Sequence, residues 1–239
     1  ISEIDNSKKR LSALDELVKS RFIEMFGDPN ENPHQWATTS LSEIITKANN
    51  GLTRRGHDST GNIVLRLVEV QDNYIDYSNC NRIALTDKEK QRFELKNDDF
   101  LFARVNGNPK NVGRCAVFKT IGESVFHNDH IIRVHFKDDV LEGTFASVLL
   151  NSEYGKNQMR QFISTSAGQY TINQDGIGAI KIILPPLSLQ NEFAEFVKLI
   201  DKSKFVCHSK NFLCDIFTFS SSTIAYPSVV SIFVCPKRC

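Results

Sequence analysis

Ile4, Leu11, Val18 and Met25 recur at one heptad position, and with Leu14 they lay an apolar stripe along a helix predicted over about 7–26. Gly27 supplies its stop. Such a helix, roughly 30 Å long, cannot bury its stripe alone, so it needs either a partner helix or a flat seat on its own domain. Asp28, Pro29, Asn30, Asn32 and Pro33 then break the helix and begin a different texture of short β-rich runs punctuated by Gly and Asn. Strands are predicted near 63–70, 100–104, 114–118, 131–136 and 179–184, with helices over 144–150 and 153–162 and a charged helical segment over 86–95. The Pro185-Pro186 pair closes this mixed region. Leu189, Phe193, Phe196 and Ile200 fall at i, i+4, i+7 and i+11 and mark a second amphipathic helix over about 188–204. From Cys207 onward, Ser220 to Ser222, Pro227, Pro236 and scattered Phe and Cys show no helical period. The expected division is a helix over 1–27, a mixed domain over 28–186, a distal helix over 187–206 and an atypical tail over 207–239.

Length and composition fit one main domain with helical arms, since 239 residues at 41% hydrophobic can bury one sizeable core. No apolar run approaches the ~18 residues of a membrane span, and the segment from Ile1 to Arg10 lacks the apolar stretch of a signal peptide. A cytoplasmic location is therefore expected. Of the six cysteines, Cys80, Cys115, Cys207, Cys214, Cys235 and Cys239, none forms a C-x-x-C pair, and His208 beside Cys207 and near Cys214 matches no common metal spacing. All six are expected to be reduced thiols, and no metal or cofactor is expected on this chain.

Charge adds nothing as a total, because 29 basic against 28 acidic residues leave +1. Its distribution says more. The windows 44–57, 101–120 and 154–174 contain no Asp or Glu, yet hold nine Lys or Arg. If they meet on one face, a locally positive surface sits on an acidic body, which suits docking on phosphates.

Catalytic motifs for DNA chemistry are weak. The nearest approach to the Asn-Pro-Pro-aromatic turn of adenine methylases is Asn108-Pro109-Lys110-Asn111, without the second proline or the stacking ring, and no glycine-rich phosphate loop ending in Gly-Lys-Ser/Thr exists. Asp87 with Glu94 and Lys96 imitates a metal nuclease set, but on a charged helical segment rather than on paired strands. Asp98-Asp99 reads as a turn. No catalytic residue is expected.

Several runs resemble, in order and over roughly 7–204, the specificity subunits of type I restriction-modification enzymes. They are "LSALDELVKSRFIEMFG" from Leu11, Trp36 with Leu41, Glu43 and Ile44, "LKNDDFLFARVNGNPKNVGRCAVF" from Leu95, and "SAGQYTINQDGIGAIKIILPPLSLQNEFAEFV" from Ser166. The resemblance implies an α+β fold: a mixed target recognition domain flanked by long amphipathic helices that pair as an antiparallel coiled coil. It implies a non-catalytic role in reading one half of a split duplex DNA target, with the helices as spacer. Methylase subunits bringing S-adenosylmethionine, and a restriction subunit using ATP and magnesium, are the partners it implies. A full subunit carries two recognition domains and this sequence holds one, so pairing of two copies is expected to rebuild the whole. The tail departs from the family's regular leucines and resembles a truncated or frame-shifted end. The same domain type serves some type II-like complexes, which is the nearest alternative; a stand-alone nuclease and a pure interaction module are the others.

Base edges in the major groove are read chiefly by Arg on guanine and by Asn or Gln on adenine. The acid-free windows supply Lys47, Thr53, Arg54, Arg55, Arg104, Asn106, Asn108, Lys110, Asn111, Arg114, Ser166, Gln169 and Tyr170 as DNA-contact candidates. Arg66 and Arg133 are expected to form ion pairs, and Asn106-Gly107 is open to reading as a turn. Leu11, Leu14, Val18, Met25, Leu189, Phe193, Phe196 and Ile200 are the candidate subunit-interface residues.

Overall fold

The computed structural model describes residues 2–219. In chain order it contains α1 (Ser2–Phe26), β1 (Ala37–Ser40), α2 (Leu41–Ile44), β2 (Ile45–Asn50), β3 (Asn62–Leu65), β4 (Arg82–Ile83), α3 (Asp87–Phe93), β5 (Phe100–Ala103) and β6 (Val105–Asn106). A 3-10 turn at Pro109–Asn111 leads to β7 (Cys115–Val117), β8 (Val125–His127) and β9 (Ile131–Phe136). Then follow α4 (Gly143–Asn151), α5 (Glu153–Arg160), β10 (Ser164–Ser166), β11 (Gln169–Thr171), α6 (Gln174–Gly178), β12 (Lys181–Leu184) and α7 (Leu187–Phe219). The chain is α+β, as expected. It forms two compact units, one over Leu17–Lys198 and one from the described residues on either side of it.

In the larger unit, an antiparallel sheet of order β2-β9-β5-β7 carries the core. Strand β5 is central and buried at all four positions, so Phe100 to Ala103 is a continuous apolar run instead of an alternating one. Leu101, Ala103, Ala116 and Ile131 from this sheet pack with Ile63, Leu65 and Val125 from a second sheet of order β4-β3-β8, in which β3 and β8 run parallel. Two small sheets complete the unit: β1 against β12, and β10-β11-β6. Helix starts follow local chemistry. Thr86 and Glu89 close a capping box on α3, the Glu142 carboxylate accepts the Phe145 N–H at α4, and Ser152 Oγ accepts the Gly155 N–H at α5.

Helix α1 ends where Gly27, at φ 76°, donates its N–H to the Ile23 carbonyl. The last turn of α1 and the first turns of α7 meet on α4 through four rings, Phe22, Phe26, Phe145 and Phe193, with centroids 4.9–5.6 Å apart. Arg21 also bonds Glu192 across the two helices at 3.1 Å. Phe193 is fully buried and Val18 nearly so, which corrects their assignment to a subunit interface: both belong to this chain's own interior. Buried Gln190 ties the start of α7 to the loop before α4, donating to the Val140 and Pro185 carbonyls and accepting the Glu142 N–H. In the smaller unit, Lys204 on α7 pairs with Asp15 on α1 at 2.9 Å. The two pairs fit the expected helix pairing.

Some expectations need adjustment. The strand expected over 63–70 stops at Leu65, because the Glu69 carboxylate accepts the Arg66 backbone N–H and pairs with its guanidinium, folding the chain back as a turn. Arg133 pairs with Asp99 at 3.5 Å, so both arginines are ion-paired as the sequence suggested. Backbone helix continues to Phe219, across 207–219 where no helical period is visible. The side chains of Ile4, Cys207, His208 and Cys214, and residues 220–239 with Cys235 and Cys239, lie outside what the structure describes. Cys80 and Cys115 are free thiols. Among the described residues no helix is long and apolar enough to cross a membrane.

Candidate nucleic-acid interface

The three acid-free windows come into contact. Strands β10 and β11 form a two-residue hairpin in which Ser166 faces Gln169, with Ala167 (φ 48°) and Gly168 (φ 76°) both left-handed between them. That is the geometry which a right-twisted hairpin favours. Residues Ser164 to Gln169 are all exposed, and the hairpin attaches to β6 through the pairs Tyr170 with Asn106 and Thr171 with Val105. Beyond β6 the chain turns under its own asparagines: Asn106 Oδ1 accepts the Asn108 N–H and Asn108 Oδ1 accepts the Lys110 N–H, leaving Lys110 exposed on the 3-10 turn. Asn111 follows half-buried. The first window joins where Gln174, after the hairpin, bonds Asn50 at the end of β2 at 3.3 Å.

The loop after β2 holds Thr53, Arg54 and Arg55, and the two arginines have different fates. Arg54 places Nε and one amino nitrogen on both oxygens of Glu89 and also donates to the Ala84 carbonyl at 2.7 Å. That bond, together with the Thr86 N–H, brings the Glu89 carboxyl down to about 2. Arg54 is therefore occupied by α3. Arg55 is 54% exposed and is held from behind by Asp129 at 2.7 Å, the Thr53 carbonyl at 2.8 Å and His130 Nε2 at 3.1 Å. Asp129 and His130 sit in the turn between β8 and β9. Arg104 reaches the same turn: its backbone N–H donates to the His130 carbonyl, and its guanidinium to the Asp129 carbonyl at 3.4 Å. Since the Ile172 N–H donates to the Arg104 carbonyl, the Arg55 loop, the 128–130 turn, β6 and the hairpin are linked through backbone hydrogen bonds.

Other candidates stand elsewhere. Arg114 bonds Gln71 at 2.9 Å and pairs with Asp72 at 3.5 Å, beside Lys156 on the same carboxylate. Lys47 is exposed on β2 opposite His135. Asp129 and His130 escaped the sequence reading because an acidic residue excluded their turn from the acid-free windows. The nuclease imitation dissolves: Asp87 is exposed at the start of α3, while Glu94 pairs with Lys96 and accepts the Ser124 hydroxyl. Among the described residues no cluster of three His, Cys, Asp or Glu is placed to hold a metal ion.

Beneath this surface lies His127, fully buried, with both ring nitrogens unpartnered. Burial, reinforced by Arg133, lowers its pKa to about 3. The folded state thus keeps His127 neutral while the unfolded chain protonates it below about 6.5, so stability is intact above that pH and declines as pH falls towards 3. Moving from pH 7 to pH 5 is expected to cost about 2 kcal/mol by this group alone. Denaturant titrations at both pH values will show that loss in the parent chain and its near absence in His127→Leu; an equal loss in both would refute the assignment.

Residues 33–210 match the family model described as the type I restriction modification DNA specificity domain. Among curated relatives, the type I restriction enzyme StySPI specificity subunit of Salmonella potsdam is 31% identical over 83% of this chain and 45% of its own length. The EcoKI specificity subunit of Escherichia coli K12 is 23% identical over 83% and 46%. The chain spans about half the length of the curated relatives it matches. Its fold resembles the type I restriction-modification S subunit from M. genitalium, with a TM-score of 0.58 at 13% identity over 92% of this chain and 55% of that one. It also resembles the HsdS subunit from Thermoanaerobacter tengcongensis, with a TM-score of 0.51 at 14% identity over 86% and 48%. With most of its length inside that family model and its fold shared with solved S subunits, this chain belongs to the type I restriction modification DNA specificity domain family.

Proposed function

We propose that the chain reads one half of a split duplex DNA target for a type I restriction-modification complex and performs no chemistry itself. The observation that supports this reading is the contact between three acid-free windows, which brings together the exposed Arg55, the exposed Lys110 and the polar hairpin in a member of the DNA specificity family. Cationic and amide donors that reach beyond a rigid sheet are what both phosphate docking and base readout require. Partner subunits supply the rest. Methylase subunits bind S-adenosylmethionine and dock on the helices α1 and α7, and a restriction subunit joins through them with ATP and magnesium. Two copies of such a domain acting together present two half-sites.

The test is selection of a random duplex library by the chain assembled with its methylase subunits at near-physiological salt, followed by sequencing of the bound and methylated fractions. The expected result is a two-part motif with a fixed gap, palindromic if two copies act together. Binding without any sequence enrichment overturns the reading.

A further inference from the structure

Within that recognition reading, we propose that Arg55 is a base-reading residue which contacts a guanine of the half-site, and that Asp129 and His130 position it. Arginine reads guanine by giving two parallel N–H bonds to O6 and N7, which demands a guanidinium fixed in plane before DNA arrives. Arg55 is so fixed. Asp129 forms an ion pair with one amino nitrogen at 2.7 Å and the Thr53 carbonyl accepts from the other at 2.8 Å, while the side chain stays 54% exposed. Neither anchor depends on the DNA: Asp129 N–H donates to the Leu52 carbonyl and Leu52 N–H to the His127 carbonyl, so loop and turn are stitched together by backbone.

The contact with His130 stands in for a purine N7, and the second donor selects guanine through its O6. Burial lowers the His130 pKa against the pull of Asp129, which favours the neutral ring, and the tautomer with a bare Nε2 accepts from the Arg55 amino group 3.1 Å away. A ring nitrogen lone pair is the same kind of acceptor as guanine N7. Guanine N7 takes over that bond without stranding a donor, and its O6 takes the hydrogen that the other amino nitrogen gives to the Leu52 carbonyl in the longer, 3.4 Å contact, leaving the Thr53 bond in place. The neighbouring arginines lack this freedom. Arg54 is spent on Glu89 and Ala84, and Arg104 is partly buried beneath the turn.

The experiment repeats the library selection with Arg55→Lys, Arg55→Ala and Asp129→Asn in the methylase-bound complex, and measures affinity against salt. Lysine keeps a point charge for phosphate and loses the two-pronged donor. Arg55→Lys is expected to erase the preference for guanine at one position by roughly 10- to 100-fold while leaving the salt slope unchanged. Asp129→Asn should weaken preference at that same position and at no other. A motif left intact by Arg55→Lys, with Arg55→Ala lowering affinity for all sequences alike and reducing the salt slope by about one, makes Arg55 a phosphate contact and overturns the proposal. Failure of the parent chain to enrich any motif removes the recognition reading and this assignment together, whereas an unchanged motif in every variant removes the assignment alone.

Discussion

Phe26→Ala is expected to lower the stability of the chain by about 3–5 kcal/mol, the range for emptying a fully buried aromatic site. The ring has no exposed surface and meets Phe145 edge-on at 4.9 Å, Phe193 at 5.5 Å and Phe22 at 5.0 Å. Each such pair adds about 0.5–1.5 kcal/mol beyond area burial, so removing the ring that touches all three loses more than its own transfer free energy. The gap closes poorly, because Trp36 Nε1 donates to the Phe26 carbonyl at 3.0 Å and holds the backbone in place. The melting midpoint should fall by roughly 6–20 °C, at about 2–4 °C per kcal/mol for a chain of this size. Ile23→Ala, one turn earlier at a side chain 50% exposed, should stay within about 0.5 kcal/mol. Equal effects from the two substitutions would mean that the end of α1 is not seated on the domain as described.

The elements legible in the sequence were those whose burial pattern repeats locally. The α1 and α7 stripes, the apolar run of β5 and the six residues of β9 announce themselves, because each buries one face or both over a continuous stretch. Strand β2 does not: its sequence ITKANN is mostly polar, and it is a strand because β9 pairs with it from Ile45 to Asn50, about 85 residues away in the chain. The hairpin of β10 and β11 is equally silent, since its Ser, Thr, Gln and Tyr are polar on both faces and show no alternation, and only the Ala167-Gly168 turn hints at it. The candidate surface divides along the same line. Its donors were visible as acid-free windows, but which arginine is free depends on partners distant in sequence. Glu89 removes Arg54 from use across 35 residues, and Asp129 positions Arg55 from a segment that acid depletion had ruled out. Acid-free windows locate regions that phosphate tolerates, whereas an ion pair that orients a guanidinium requires the carboxylate those windows exclude.

Gly51→Ala tests whether that positioning matters to reading. A Cβ at Gly51 would lie 2.1 Å from the His127 carbonyl oxygen, 2.5 Å from His127 Nδ1 and 2.6 Å from the Asn128 carbonyl oxygen. Two of these are backbone atoms and the third belongs to a fully buried ring, so none yields as an exposed side chain does. The strain is expected to cost about 3 kcal/mol, the upper end for overpacking, and to lower the midpoint by about 6–12 °C. Its direction also matters. The atoms displaced belong to the 127–128 segment that leads into Asp129 and His130, while the next residues on the other side are Leu52 and Thr53, whose carbonyls accept from Arg55. Gly51→Ala therefore pries apart the two anchors of one guanidinium. Assayed at a temperature where circular dichroism shows the variant fully folded, it should lose the guanine preference at the Arg55 position while binding DNA of any sequence at close to the parent's affinity, because the Lys110 turn and the hairpin attach through β6 and stay in place. A folded variant with parental preference would mean that Arg55 does not need the Asp129 side of its cradle; loss of specific and non-specific binding in equal measure would mean that the whole surface moves as one piece.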